Sequence, residues 1–197
     1  PPKIETCLAE AGSRQFLWVI PYGSGVFSAR VLPLEKIGDS WIQRFSPIPA
    51  VLGKNGLARP GEKREGDGKT PFGIFPIGIG FGYSASHNFR WKYRQSQAED
   101  IWVDDPEADD YNQLTTKSST KAHSFELMKR PDDLYKFGLV VEYNTSPVVK
   151  GFGSAIFIHI WGGSQNPTSG CIAFAEERIV EILKWLDPGK NPRITLF

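Results

Sequence analysis

Residues 153–174, GSAIFIHIWGGSQNPTSGCIAF, decide how the rest of the chain is read. Alternating residues of 155–161 fall on opposite faces, as they do in a strand. Ile156, Ile158 and Ile160 share one face; Ala155, Phe157, His159 and Trp161 share the other. A run that is apolar on both faces belongs to a strand covered on both sides. His159, near its end, is then close to the core and within reach of the rim. A turn follows, Gly162-Gly163-Ser164-Gln165-Asn166-Pro167, able to bring the chain back. Cys171 stands twelve residues after His159, behind Thr168, Ser169 and Gly170. An ordinary thiol carries little thiolate at neutral pH, so a nucleophilic cysteine needs a neighbouring base and N–H groups that favour the anion. His159 can supply the base, and the backbone N–H groups around Gly170 and Cys171 an oxyanion site. A hydrogen-bonded core histidine and a Cys/His nucleophile both remain open at this point.

After Cys171 the period changes. Ile179, Ile182, Leu183 and Leu186 recur at helical spacing, Glu176 and Glu177 fall in the first turn, and Asp187-Pro188-Gly189 ends the helix. Residues 193–197 close the chain as a strand. Upstream, 16–20 (FLWVI) and 26–32 (VFSARVL) form a hairpin, 41–45 (WIQRF) is a half-buried strand, and 48–52 a short one broken by Pro49. Residues 54–70 are a polar, Gly-rich loop. Residues 72–79 carry Gly and Pro, which suits a bent or edge strand. Strand character returns at 137–143. Residues 83–135 are polar and charged, with scattered aromatics. They read as an elaborated connection over one end of the sheet, and connections of that length are commonly functional. The class is mainly β with one C-terminal helix, on a single domain over 1–197.

The composition narrows the function classes. The chain has 197 residues, 40% hydrophobic and 23% charged, with a net charge of +1. That balance predicts neither a nucleic acid nor an anionic membrane surface as partner. No apolar run reaches the ~20 residues of a spanning helix, so no membrane insertion is expected. Two cysteines, Cys7 and Cys171, are too few for a disulfide framework or a cysteine-rich zinc site. One bond between them would suit an oxidising compartment. Asp104, Asp105, Asp109 and Asp110 do not match a calcium loop and read as a solvated acidic segment. His87 and His123 read as solvated. No metal and no organic cofactor is expected. The start at Pro1-Pro2, without Met, suggests a processed or trimmed form. The sequence does not address oligomeric state.

Two segments together resemble a known family. The IHIW…TSGCIA frame of 158–173 and GDGKTPFGIF at 66–75 are similar to the L,D-transpeptidase catalytic domain, the YkuD domain. The resemblance runs over about 16–197. It implies a β-sandwich of mixed sheets curled around the cysteine, with 83–135 as an insertion over the active-site end. It implies Cys171 as nucleophile, His159 as base and Gly170 as the motif glycine. Thr168, Ser169, Trp161, Arg64 and Lys69 are then expected at the substrate. The family's usual motif is Ser/Thr-His-Gly-Cys, with Arg or Asn two residues after the cysteine. Here Ser169 and Ala173 stand at those places, and the His-to-Cys spacing is shorter, which marks a divergent branch with a Thr-Ser-Gly-Cys motif.

The implied chemistry is acyl transfer on peptidoglycan stem peptides, in a periplasmic or otherwise extracytoplasmic setting, in service of cell-wall biogenesis and cell shape. The thiolate attacks the carbonyl between the L-centre of a diaminopimelate-type residue and the terminal D-alanine. An amine then resolves the thioester. The alternatives are a hydrolase of the same family (carboxypeptidase, endopeptidase or isopeptide cleavage) and a non-catalytic cell-wall-binding module.

Overall fold

The computed structural model describes residues 12–85 and 87–197. Pro1, Pro2 and Cys7, and with Cys7 the disulfide expectation, lie outside the described residues. Thirteen strands and one α-helix follow one another along them. Strands β1 (Gln15–Pro21) and β2 (Ser28–Ile37) form the expected hairpin, paired antiparallel from Gln15↔Glu35 to Pro21↔Ala29. β3 (Ser40–Gln43) is appended to the outer edge of β2. It was expected to be half buried and is mostly exposed, because it has a partner on one side only.

The main sheet continues through β4 (Ile48–Val51), β5 (Gly73–Gly82), β10 (Phe137–Val141), β11 (Phe157–Ile160), β12 (Ile172–Phe174) and β13 (Arg193–Leu196). Its order is β1-β13-β5-β10-β11-β12-β4-β2, and β2 pairs back to β1, so these eight strands close into a ring. The sheet is mixed: β1–β13 and β11–β12 are parallel, and most other neighbours are antiparallel. The mainly β class with one C-terminal helix is as the sequence predicts.

Two departures from the sequence reading have physical causes. β5 was expected at an edge or bend because of its glycines and Pro76, yet it lies in the middle, between β13 and β10. Pro76 is accommodated because the register against β10 shifts between Leu139 and Val141, leaving the Pro76 carbonyl to accept from the Glu142 N–H. The glycines clear space for neighbours. A Cβ on Gly80 would meet Leu183 of the helix at 3.1 Å. The second departure is that 83–135, to which the sequence pattern assigns no elements, carries four strands. β6 (Tyr93–Gln95) extends β5 in parallel, while β7 (Asp100–Val103), β8 (Leu114–Thr116) and β9 (Phe125–Leu127) form a separate small antiparallel sheet. Trp91 is buried in the main core, its indole N–H donating to the Gly78 carbonyl at 2.7 Å.

Helix α1 (Glu176–Trp185) buries Ile179, Ile182 and Leu183 completely, the stripe its spacing foretells. Each such side chain contributes about 2 kcal/mol of transfer free energy. Together with Ile158, Ile172 and Phe174 they form one core. Phe157, Trp102, Tyr135, Phe81 and Cys171 form a second cluster on the other face of β11.

Candidate active site

The ladder explains why His159 and Cys171 come together. β11 and β12 run parallel with Ile158 opposite Ile172 and His159 opposite Ala173. One step back along both strands, Cys171 falls beside Phe157, so His159, Phe157, Ala173 and Cys171 share a face. The backbone N–H of Phe157 donates to Cys171 Sγ at 3.4 Å, and the thiol donates to the Ala155 carbonyl at 3.3 Å. Both residues line a cavity of about 490 Å³, with Trp161, Thr168, Ser169 and Gly170 on the same wall.

The His159 ring nitrogen Nδ1 lies 2.8 Å from the Ile160 carbonyl, which can only accept. The proton therefore sits on Nδ1, and Nε2 keeps its lone pair. Tyr135 packs edge-on against this ring, with centroids 5.2 Å apart, and fixes its plane. Burial lowers His159 to about 4, since the charged imidazolium is disfavoured in an apolar surround. Burial likewise raises the Cys171 thiol to about 12, although the Phe157 N–H works the other way. The free protein therefore holds a neutral thiol and a neutral imidazole, where the sequence suggested a thiolate favoured by its neighbours. Cys171 is a free cysteine.

The loop 66–70 forms the floor beneath the cysteine. Asp67 organises it: its carboxylate accepts from Lys63 Nζ at 2.7 Å and from the backbone N–H groups of Arg64 and Lys69, both at 2.8 Å. Burial works to raise this carboxyl, and those three donors outweigh it, so the net shift is downward. Thr70 accepts from the Gly53 N–H at 2.9 Å and donates to the Cys171 carbonyl at 3.4 Å. Gly53 must be glycine: a Cβ there would lie 2.5 Å from the Gly68 carbonyl oxygen and 2.9 Å from the Thr70 nitrogen. Gly170 is also close-packed, though less tightly, with a hypothetical Cβ 3.0 Å from the Lys69 carbonyl oxygen.

The expected site residues are placed unequally. Thr168 uses its hydroxyl inside the turn, donating to the Cys171 carbonyl at 2.7 Å and accepting from the Gly170 N–H at 3.1 Å. The Gly170 N–H is thereby engaged. Ser169 is exposed at the cavity wall. Arg64 is exposed, bonded to the Gly61 and Lys63 carbonyls and stacked on Phe152, and it is not part of the cavity lining. Nor is Lys69. The cations along the cavity are Lys54, Lys63 and Arg130. His87 and His123 are exposed and lie elsewhere. Among the described residues no His/Cys/Asp/Glu group is arranged to hold a metal, and no helix is long and apolar enough to cross a membrane.

Sequence reasoning missed what 83–135 brings to the cavity. Arg130 bonds Asp132 and Glu126 and lies over the Tyr135 ring, 5.0 Å from its centroid. Glu126 is raised by burial. Asp104 is raised too, by burial first and then by Glu65 and Asp105. The length of the connection and the resemblance point to this end of the fold, but no residue in 83–135 belongs to either motif, so neither singles out Arg130, Glu126 or Asp104.

The chain matches the L,D-transpeptidase catalytic domain family, YkuD, over residues 35–194. No curated protein matches it. Among solved structures it is similar to Bd1075 of Bdellovibrio bacteriovorus, with a TM-score of 0.49 and 15% identity over 95% of this chain and 49% of that one. It is also similar to the helical cell shape determining protein Pgp2 from Campylobacter jejuni, with a TM-score of 0.42 and 16% identity over 98% of this chain and 54% of that one. The chain thus spans about half the length of either, by those same 49% and 54% shares.

Proposed function

Taking as premise that the chain belongs to the L,D-transpeptidase catalytic domain (YkuD) family, we propose that it is a cysteine acyltransferase acting on peptidoglycan stem peptides outside the cytoplasm. The observation that carries this reading is the shared face: His159 and Cys171 project from neighbouring parallel strands into one cavity, with Nδ1 occupied and Nε2 left to accept a proton.

In the proposed reaction Nε2 removes the thiol proton as Sγ attacks the stem-peptide carbonyl. Collapse of the tetrahedral adduct breaks the amide. The leaving amine takes the proton back from His159, and a thioester remains on Cys171. An acceptor amine then attacks the thioester, gives its proton to His159 and expels the thiolate. Gly170 lets the backbone behind Cys171 lie close to Lys69, and Trp161 and Ser169 are the wall residues that would meet substrate. The single-domain reading, with 83–135 as an insertion over this end, belongs to the proposal; its support is that Asp104, Glu126, Arg130, Leu134 and Tyr135 all line the cavity.

Mass spectrometry of defined muropeptides after incubation tests the proposal. A crosslinked or D-amino-acid-exchanged product supports transfer. Loss of D-alanine with no new bond makes the enzyme a carboxypeptidase, and release of an attached protein makes it an isopeptide hydrolase. A second reading, a non-catalytic wall-binding module, draws on the buried thiol raised to about 12. Unchanged muropeptides together with saturable binding to cell-wall sacculi would favour it.

A further inference from the structure

Ala155 has a φ of +50°, left-handed backbone that a residue with a Cβ adopts only when its surroundings enforce it. The segment 153–155 is gripped by two consecutive residues from 83–135. The Gly153 N–H donates to the Tyr111 hydroxyl at 3.1 Å, and the Ala155 N–H donates to Asn112 Oδ1 at 3.0 Å. The Asn112 side chain is itself fixed on both polar atoms. Its Oδ1 also accepts from the Trp102 indole at 2.8 Å, and its Nδ2 donates to the Tyr143 and Asn144 carbonyls at 3.1 and 2.7 Å. It is buried, and its own φ is +58°. On the far side of the same residue, the Ala155 carbonyl receives the Cys171 thiol.

We infer that Asn112 is a positioning residue for Cys171: it locks Ala155 in the left-handed conformation, and so sets the carbonyl that orients the thiol and its proton. The inference rests on Cys171 being the nucleophile. It makes the 83–135 connection part of the nucleophile's mounting, reached through Ala155 ahead of β11 rather than through the β11–β12 ladder. The Ala155 carbonyl accepts only from the protonated thiol, so it favours the neutral form and holds the proton until a substrate displaces that bond. Among the described residues the thiol's hydrogen bonds are those to Ala155 and Phe157.

The test is iodoacetamide alkylation of Cys171 against pH on the full chain, with muropeptide turnover followed in parallel. In Asn112→Ala, Ala155 is free to leave positive φ and its carbonyl turns away. The alkylation midpoint is expected to fall by about one pH unit, ~10-fold faster labelling at fixed pH. The kcat is expected to drop ~10-fold with KM within ~3-fold, because the lost group orients the attacking atom rather than the substrate. Adding Ala155→Gly should recover at least half of the alkylation shift, because glycine takes the left-handed conformation without a lock. An asparagine that only stabilises the fold would lower Tm, leave the alkylation profile on the wild-type curve and gain nothing from the glycine. Either of those last two results overturns the inference. If Asn112→Ala does not fold, Trp102→Phe removes one donor to Oδ1 and should give a smaller shift in the same direction; an unmoved profile there overturns it equally. Shifts as expected, with no muropeptide changed by the wild type, would leave the positioning intact and remove the proposed function.

Discussion

Strand β11 presents two faces built on different rules. On one, Ile158 is wholly buried against Ile172, Ile179 and Leu183, and apolar volume is all the position asks for. On the other, Phe157 and His159 meet Tyr135, Trp102 and Cys171, and each group has a named partner at a set distance. The first face holds the strand in place. The second uses that rigidity to hold a thiol and an imidazole that would gain nothing from packing alone.

Five changes would break or sharpen this contrast. The largest effect is expected from Cys171→Ala, which removes the nucleophile: muropeptide turnover should fall to background with Tm close to the wild type. Full activity would end the assignment. His159→Ala should cost ~10²–10⁴ in kcat/KM with the fold retained, because Sγ loses its proton acceptor. Across the strand, Ile158→Ala should do the reverse. It should cost about 3 kcal/mol in chemical denaturation and leave turnover per folded molecule nearly unchanged. Next comes pH. His159 titrates lower in the fold, near 4, than in the unfolded chain at about 6.5. Below 6.5 the unfolded chain therefore takes up a proton that the fold refuses. Stability should fall between pH 6.5 and 4 by roughly 3 kcal/mol from this group. The acid limb of kcat/KM should lie near pH 4, and a limb near 6.5 would mean that the imidazole is more solvated than its burial indicates. Gly53→Ala is expected to have the smallest effect, about 1–3 kcal/mol, because the new methyl pushes against the Gly68 and Thr70 backbone. Turnover should also fall as Thr70 is lifted from the Cys171 carbonyl.

The same contrast marks what could be read from the sequence. The alternation of 156–160 and the helical spacing of Ile179, Ile182 and Leu183 report burial, and burial is what hydrophobic periodicity encodes. So the ladder face and the helix were legible, as was the nearness of His159 and Cys171, which line one cavity. β11 nevertheless begins at Phe157 and not at Ala155, because Ala155 is turned to positive φ by Asn112, a contact between residues 43 apart that no local pattern registers. Reading β5 as a bent or edge strand does not reveal its central place, because glycine looks like weakness in a strand until the neighbours it makes room for are known. Arg130 and Tyr135 went unseen because their relevance depends on where a long connection folds back.

The parallel pairing of β11 with β12 has a consequence for how such a site can vary. Because Ile158↔Ile172 and His159↔Ala173 are fixed by the ladder, the placement of the His159 imidazole relative to the Cys171 thiol is set by the strands rather than by the path between them. Residues 161–170 are tied down mainly at Thr168, whose N–H and carbonyl pair with Leu52 and Lys54. The turn before that anchor bonds largely within itself, from Asn166 to the Gly162 and Gly163 carbonyls. A change in its length or side chains is therefore expected to reshape the wall of the cavity while leaving the register of β11 against β12 in place.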